Sequence, residues 1–183
     1  MTSIHSNRTL RSALALAGLV LAGITFGVAT NAASAENEAA HASQRLVVRG
    51  DDTVKDTPCD AGICLEITDG AFRGTVGTGA YEGNVDLRVS EAFDNGEGGV
   101  CAPIDGRLVL GAGSPDRLIL ALSGDSCQDG NGDPTTSSFT GLARFTVKRG
   151  TGAFAKAHGS GLATFLEDAN DHNRMTLIGR ISG

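Results

Sequence analysis

The sequence predicts an all-β fold: a single antiparallel barrel of about eight strands, cross-linked by two disulfides. Three observations lead there. Beyond residue 35 the apolar residues fall in short runs of period two, and no useful length has helical spacing. That region also holds 23 of the 26 glycines, and Gly, Asp and Asn punctuate the gaps between runs. All four cysteines lie in it too.

The N-terminus is expected to lie outside the fold. Arg8 and Arg11 precede "SALALAGLVLAGITFGVA", apolar from Ser12 to Ala29, and "ASA" closes the stretch at Ala33–Ala35. A positive start, an apolar centre and small residues form a secretory signal peptide over 1–35, cleaved after Ala35. The apolar run is at the short edge for a spanning helix. Residues 36–44 then form a loose tail, and 45–183 the barrel domain. The expected location is extracellular, with no membrane contact after cleavage.

Composition narrows the partners. The chain has 15 Lys and Arg against 21 Asp and Glu, and formal charge −6. Removing the signal peptide with its two arginines makes it −8. An acidic balance speaks against nucleic acid and anionic membrane as partners. An even cysteine count in an exported chain indicates disulfides. Cys59 and Cys64 bracket the short segment "CDAGIC". Cys101 precedes and Cys127 follows a hairpin pattern, so the expected pairs are Cys59–Cys64 and Cys101–Cys127. Closing the second loop should contribute roughly 3 kcal/mol. The spacings do not suit zinc, which favours close pairs such as C-x2-C.

The strands follow in order. "RLVVRG", Arg45–Gly50, is the first, and "DDTVKDTPCDAG" a charged loop after it. In "ICLEITDG" Ile63, Leu65 and Ile67 share one face. Next come a short strand from Ala71, a turn near Gly77–Gly79, and a longer strand through Val85, Leu87 and Val89. "DNGEGG" is a loop. "IDGRLVLG" and "DRLILALSG" form a hairpin with two apolar faces, expected to be covered on both sides. "FTGLARFTVKRG" alternates cleanly, with Phe139, Gly141, Ala143, Phe145 and Val147 inward. "HGSGLATFL" and "RMTLIGRIS" complete the set.

The stretch "RGTGAFAKAHGSG", Arg149–Gly161, poses a choice between a phosphate loop and a turn. A phosphate loop needs glycines opening a helix, and here "LATFL" follows, which alternates like a strand. The turn reading puts Gly150 and Gly152 at positive φ and drops Phe154 into the barrel end as a plug. Gly159 and Gly161 would allow a bend or a close neighbour. "FRGTVGTGAY" (Phe72–Tyr81) echoes "FTVKRGTGAF" (Phe145–Phe154), suggesting a pseudo-repeat or one turn used twice.

Taken in order, "GTGAF", "AHGSGLAT" and the terminal "LIGRISG" resemble the closing strands of allene oxide cyclase-like and dirigent-like β-barrels. The resemblance covers Phe139–Gly183 and rests on turn glycines. It implies an eight-stranded barrel with a cavity for a small apolar molecule. The plant proteins are often trimeric, so it also implies a homo-oligomer. No catalytic residue of either plant group aligns here, and none is carried over. The two cysteine pairs depart from the plant cyclase pattern.

Site candidates are few. His41 lies in the tail, His172 in the polar turn "DANDHN", and His158 begins a strand with Ser160 on its face. A general base needs a partner in space, and the sequence places none beside His158. Asp129, Asn131 and Asp133 have the alternation that opens a calcium loop, but the distal Glu and flanking helices are missing. No serine elbow, triad or cofactor motif occurs. The expected function is therefore binding, as an extracellular or envelope module holding a small apolar ligand. One alternative is a cyclase- or isomerase-like enzyme acting on a lipid-derived substrate in the cavity. The other is a calcium-dependent carbohydrate-binding β-sandwich, disfavoured by a single tyrosine and no tryptophan.

Overall fold

In the computed structural model, nine antiparallel strands form one sheet that closes on itself. The structure describes residues 43–183 except 61, 97 and 129–137. The signal peptide, most of the tail with His41, and the calcium candidates Asp129, Asn131 and Asp133 lie outside the described residues.

The strands are β1 (Gln44–Cys59), β2 (Gly62–Gly74), β3 (Gly77–Leu87), β4 (Phe93–Asp94), β5 (Val100–Leu110), β6 (Leu118–Gln128), β7 (Phe139–Gly150), β8 (His158–Glu167) and β9 (His172–Ser182). Their order is β3-β2-β1-β9-β8-β7-β6-β5-β4, and β3 also pairs with β5. That extra pairing, Tyr81↔Leu110 to Leu87↔Ile104, closes an eight-stranded barrel. A closed sheet has no long free edge, and it is not a sandwich.

The short β4 prolongs β3 along β5. After Leu87 the chain leaves the ladder, makes a 3-10 turn at Val89–Glu91, and rejoins where Phe93 faces Cys101. Val89, expected in the strand, sits in this excursion. Pro103 lies opposite it, where a missing N–H costs no ladder bond, and its carbonyl accepts from Arg88 N at 3.0 Å.

Both expected disulfides form, Cys59–Cys64 and Cys101–Cys127. Cys101 and Cys127 face each other across β5 and β6. The first pair ties the end of the β1–β2 hairpin, where Cys59 faces Gly62.

Side chains of the strands fill the interior, including Leu46, Val48, Leu108, Leu110, Leu118, Leu120 and Leu177. Tyr81 and Phe145 are the largest of the fully buried side chains. Each ring is seated over two glycines. A Cβ on Gly161 would come within 2.6 Å of the Phe145 ring, and one on Gly179 within 2.7 Å. Gly50 and Gly70 hold Tyr81 in the same way, at 2.7 and 2.5 Å. The close approach expected at Gly161 is thus to a core ring.

Three expectations need correction. β1 does not end at Gly50; it continues through "DDTVKDTPC" as one 16-residue strand. Asp52 and Val54 keep the inward alternation of Leu46, Val48 and Gly50, and an inward aspartate hides the pattern. The β5–β6 hairpin is not covered on its outer face by a second layer among the described residues. Val109 is buried there between its cross-strand neighbours Glu82 and Ile119. The echo is not a structural repeat: Gly77–Ala80 is strand, whereas Gly150–Ala153 runs from a strand end into a 3-10 turn.

The opening stretch is a turn that docks. Gly77 (φ +102°) and Gly152 (φ +56°) have positive φ, whereas Gly79 and Gly150 do not. Gly79 lies inside β3 beside the Phe72 ring, and a Cβ on Gly150 would strike the Phe154 carbonyl. The loop packs on the β5–β6 connection: Ala153 N donates to Asp116 Oδ1 at 2.8 Å, and Thr151 Oγ1 to the Pro115 carbonyl at 2.6 Å. The Ala153 N–H is therefore taken by the protein's own carboxylate. Phe154 packs against the edge of the core and is only partly buried.

The outer walls differ in charge. Register aligns Arg144, Leu162, Ile178 and Val47 in one row across β7, β8, β9 and β1. The next row is Leu142, Thr164, Thr176 and Arg49. Leu166 and Arg174 sit beyond one side, and Arg180 and Arg45 beyond the other. Outward positions of β2, β3, β5 and β6 instead carry Glu66, Glu82, Asp86, Asp105 and Asp125, with Arg73 and Arg107.

Replacing Phe145 with Ala should cost about 3–5 kcal/mol in urea denaturation. Gly161→Ala should cost about 1–3 kcal/mol, because the new methyl meets both the ring and the Ile178 carbonyl. A neutral Gly161→Ala would mean the ring is not seated there.

Candidate functional site

The two ends of the barrel are built differently. At the end carrying the β2–β3, β5–β6 and β7–β8 turns, the loop around Phe154 folds over, and a more polar hollow of about 540 Å³ stays open between it and the β2–β3 and β5–β6 turns. At the other end the chain leaves a cavity of about 330 Å³. Its apolar wall comes from Ile63 and Leu65 at the start of β2, Leu87 at the end of β3, Val89 in the excursion, Val100 and Ala102 on β5, and Phe139 on β7. Its polar side chains are Asp56, Ser126, Gln128 and Glu167. Neither Lys nor Arg lines it among the described residues. A smaller void of about 40 Å³ continues inward, sharing Leu65, Ser126, Phe139 and Glu167, and reaches Asn173.

The strand excursion helps to make the mouth. Had β3 run straight on, Val89 would be an ordinary ladder position. Instead it stands 45 % exposed at the cavity wall, beside Val100.

Behind the cavity lies a buried polar group. Tyr81 Oη donates a short hydrogen bond to Asp52 Oδ2, and Asn173 Nδ2 donates to the same oxygen at 2.9 Å. Asp52 is 7 % exposed and Asn173 3 %. Asp52 Oδ1 and Asn173 Oδ1 have no hydrogen-bond partner among the described residues. Burial raises the Asp52 carboxyl above its ordinary value; the two hydrogen bonds oppose this, and neighbouring Asp51 adds to it. Burial and the Asp52 carboxylate together push the Tyr81 hydroxyl far above its ordinary range, so the phenol stays a donor.

Glu167 is the titratable group of the cavity itself. Burial, followed by the negative charges of Asp56, Asp171, Asp52 and Asp168, raises its carboxyl to about 7. Asp56 is raised as well, by burial and then by Asp171. Asp168 goes the other way, because its carboxylate accepts from the backbone N–H groups of Asn170 and His172 in the β8–β9 turn. A carboxyl titrating near neutrality between apolar walls can hold or release a proton under ordinary conditions.

The residues singled out from sequence are elsewhere. His158 is exposed, with Nε2 2.8 Å from Ser182 Oγ and Nδ1 3.3 Å from the Lys156 carbonyl. This joins the β8 start to the β9 end. His172 lies 3.7 Å from Asp168 at the surface. Cys59 and Cys64 lie close to Asp86, but both sulfurs are spent in a disulfide. Nothing in the sequence assigned Asp52, Tyr81, Glu167 or Asn173 to a pocket; "EDANDHN", Glu167–Asn173, offered only a weaker version of the calcium-loop pattern. Asp52 had a usable signal, its phase with Val48 and Val54; the others come together only through the closed sheet.

No protein-family model, curated protein or solved structure matches this chain.

Two outcomes are expected here. Tyr81→Phe should cost about 1–3 kcal/mol in denaturant unfolding, since Asp52 loses a buried donor; no loss would remove Tyr81 as its partner. Glu167 holds its proton to higher pH in the folded chain than in the unfolded one. Its contribution therefore favours folding most below about 4.5, and stability declines as pH rises from there to about 7. Thermal unfolding across that window should show this decline, flattened in Glu167→Gln. An identical slope in the variant would show Glu167 to be unperturbed.

Proposed function

We propose that the protein binds a small, largely apolar molecule in the mouth of its barrel, and that this ligand presents a hydrogen-bond donor to Glu167. The carrying observation is the cavity of about 330 Å³ with apolar walls and Glu167 among its few polar groups. The volume lies within the range of small-molecule sites, and few polar groups on an apolar lining is their usual composition. Glu167, Asp56 and, at the inner void, Asn173, whose Oδ1 has no hydrogen-bond partner among the described residues, are acceptors, or become so on ionising. With no Lys or Arg on the wall among the described residues, this lining favours a donor or a protonated amine over a carboxylate ligand. Secretion fits the same reading and is supported by two disulfides, which persist in oxidising compartments.

A second reading draws on Glu167 alone. A carboxyl near neutral pKa at an apolar cavity suits general acid–base catalysis, so an isomerase or cyclase could use the same pocket.

Native mass spectrometry of the protein from its culture medium tests binding. The expected result is a small molecule retained in the native spectrum and released on unfolding. In calorimetry at pH 8, a medium-chain alkylamine should bind more tightly than the carboxylate of equal length, and Glu167→Gln should weaken the amine by roughly tenfold. Equal binding of both chains, or none, would overturn the assignment. Recovery of the native ligand in altered form after incubation would favour the enzyme.

A further inference from the structure

The outward face of β7, β8, β9 and β1 takes no part in the cavity, yet its composition is unusual for a solvated sheet face. Leu142, Leu162, Leu166 and Ile178 are between 47 % and 56 % exposed. They alternate with Arg45, Arg49, Arg144, Arg174 and Arg180, all exposed. None of these five arginines makes an ion pair among the described residues. Asp51 is the acid among the outward positions of these rows. By strand and residue spacing the patch measures about 14 Å by 20 Å.

We propose that this wall docks on an anionic phospholipid surface. Guanidinium groups meet phosphates with paired hydrogen bonds. Leucine and isoleucine side chains between them gain by entering the boundary between headgroups and acyl chains. The acidic opposite wall, with Glu66, Glu82, Asp86 and Asp125, is repelled by the same surface, so the barrel's own field orients it.

A second copy fits less well. Its acidic wall would satisfy the arginines but offers the leucines little, since Val109 is buried and Ile119 and Ala121 are half-buried. Two copies of the basic wall would place arginine against arginine. A lipid surface supplies both phosphate and hydrocarbon. A net charge of −6, or −8 for residues 36–183, does not argue against this, because it counts charges without placing them.

The test uses residues 36–183, which form a compact unit, with folding of each variant verified by circular dichroism. Vesicles of phosphatidylglycerol mixed with phosphatidylcholine should sediment the protein, and vesicles of phosphatidylcholine alone should not. Rising salt should weaken binding. Arg144→Gln with Arg180→Gln should lower affinity roughly 10- to 30-fold. Leu162→Gln should lower it at low salt as well. Absence of binding to the anionic vesicles, or binding unchanged in both variants, overturns the proposal. Self-association in light scattering that Leu162→Gln abolishes, without vesicle binding, would assign the wall to a second copy instead. None of these readouts depends on Glu167 or the cavity.

Discussion

An eight-stranded barrel must fill its interior with side chains from its own wall, and this protein does so with very few aromatics. Phe145 reaches across Gly161 and Gly179, and Tyr81 across Gly50 and Gly70. Each ring occupies space that neighbouring strands give up by having no side chain. Much of the rest is Leu, Ile and Val from alternate positions. The rings and their glycines depend on register, because a slip of one residue would turn each outward.

That solution creates the polar chemistry inside. A fully buried tyrosine brings a hydroxyl into the core, and the hydroxyl needs a partner. Asp52 supplies it, from a position that continues the inward face of β1, and Asn173 supports the aspartate from β9. The cost of burying this group is visible in the raised Asp52 carboxyl. Glu167 is buried at a cavity that already has negative neighbours, and burial first, then those charges, hold its proton to near neutrality. Filling the centre with rings and leaving the disulfide end open thus yields one chemically distinct end of the barrel.

The outer surface follows a separate logic. The outward charges on β7, β8, β9 and β1 are mostly arginine, set among aliphatics and threonines, and those on β2, β3, β5 and β6 are mostly acidic. The two sets interleave along the chain with the core residues. Nothing about the core demands this division, since outward residues do not touch it.

Much of the barrel was legible from local pattern. Period-two alternation marked β2, β6 and β7 and the start of β1; cysteine positions around a hairpin identified Cys101–Cys127, and the short segment "CDAGIC" identified Cys59–Cys64. These succeed because alternation and hairpin pairing are local properties of an extended chain. Failures came where an inward residue was polar, as at Asp52, or where a strand was interrupted, as at Val89. Gly-Thr-Gly-Ala, strand in one place and turn in another, shows that four residues do not determine a conformation that packing chooses. The glycine seats, the Tyr81–Asp52–Asn173 group, the cavity around Glu167 and the gathering of five arginines were decided by closure of the sheet. Closure brings β1 against β9 and β3 against β5, and the chemistry of the site and of the wall lies in contacts between strands far apart in sequence.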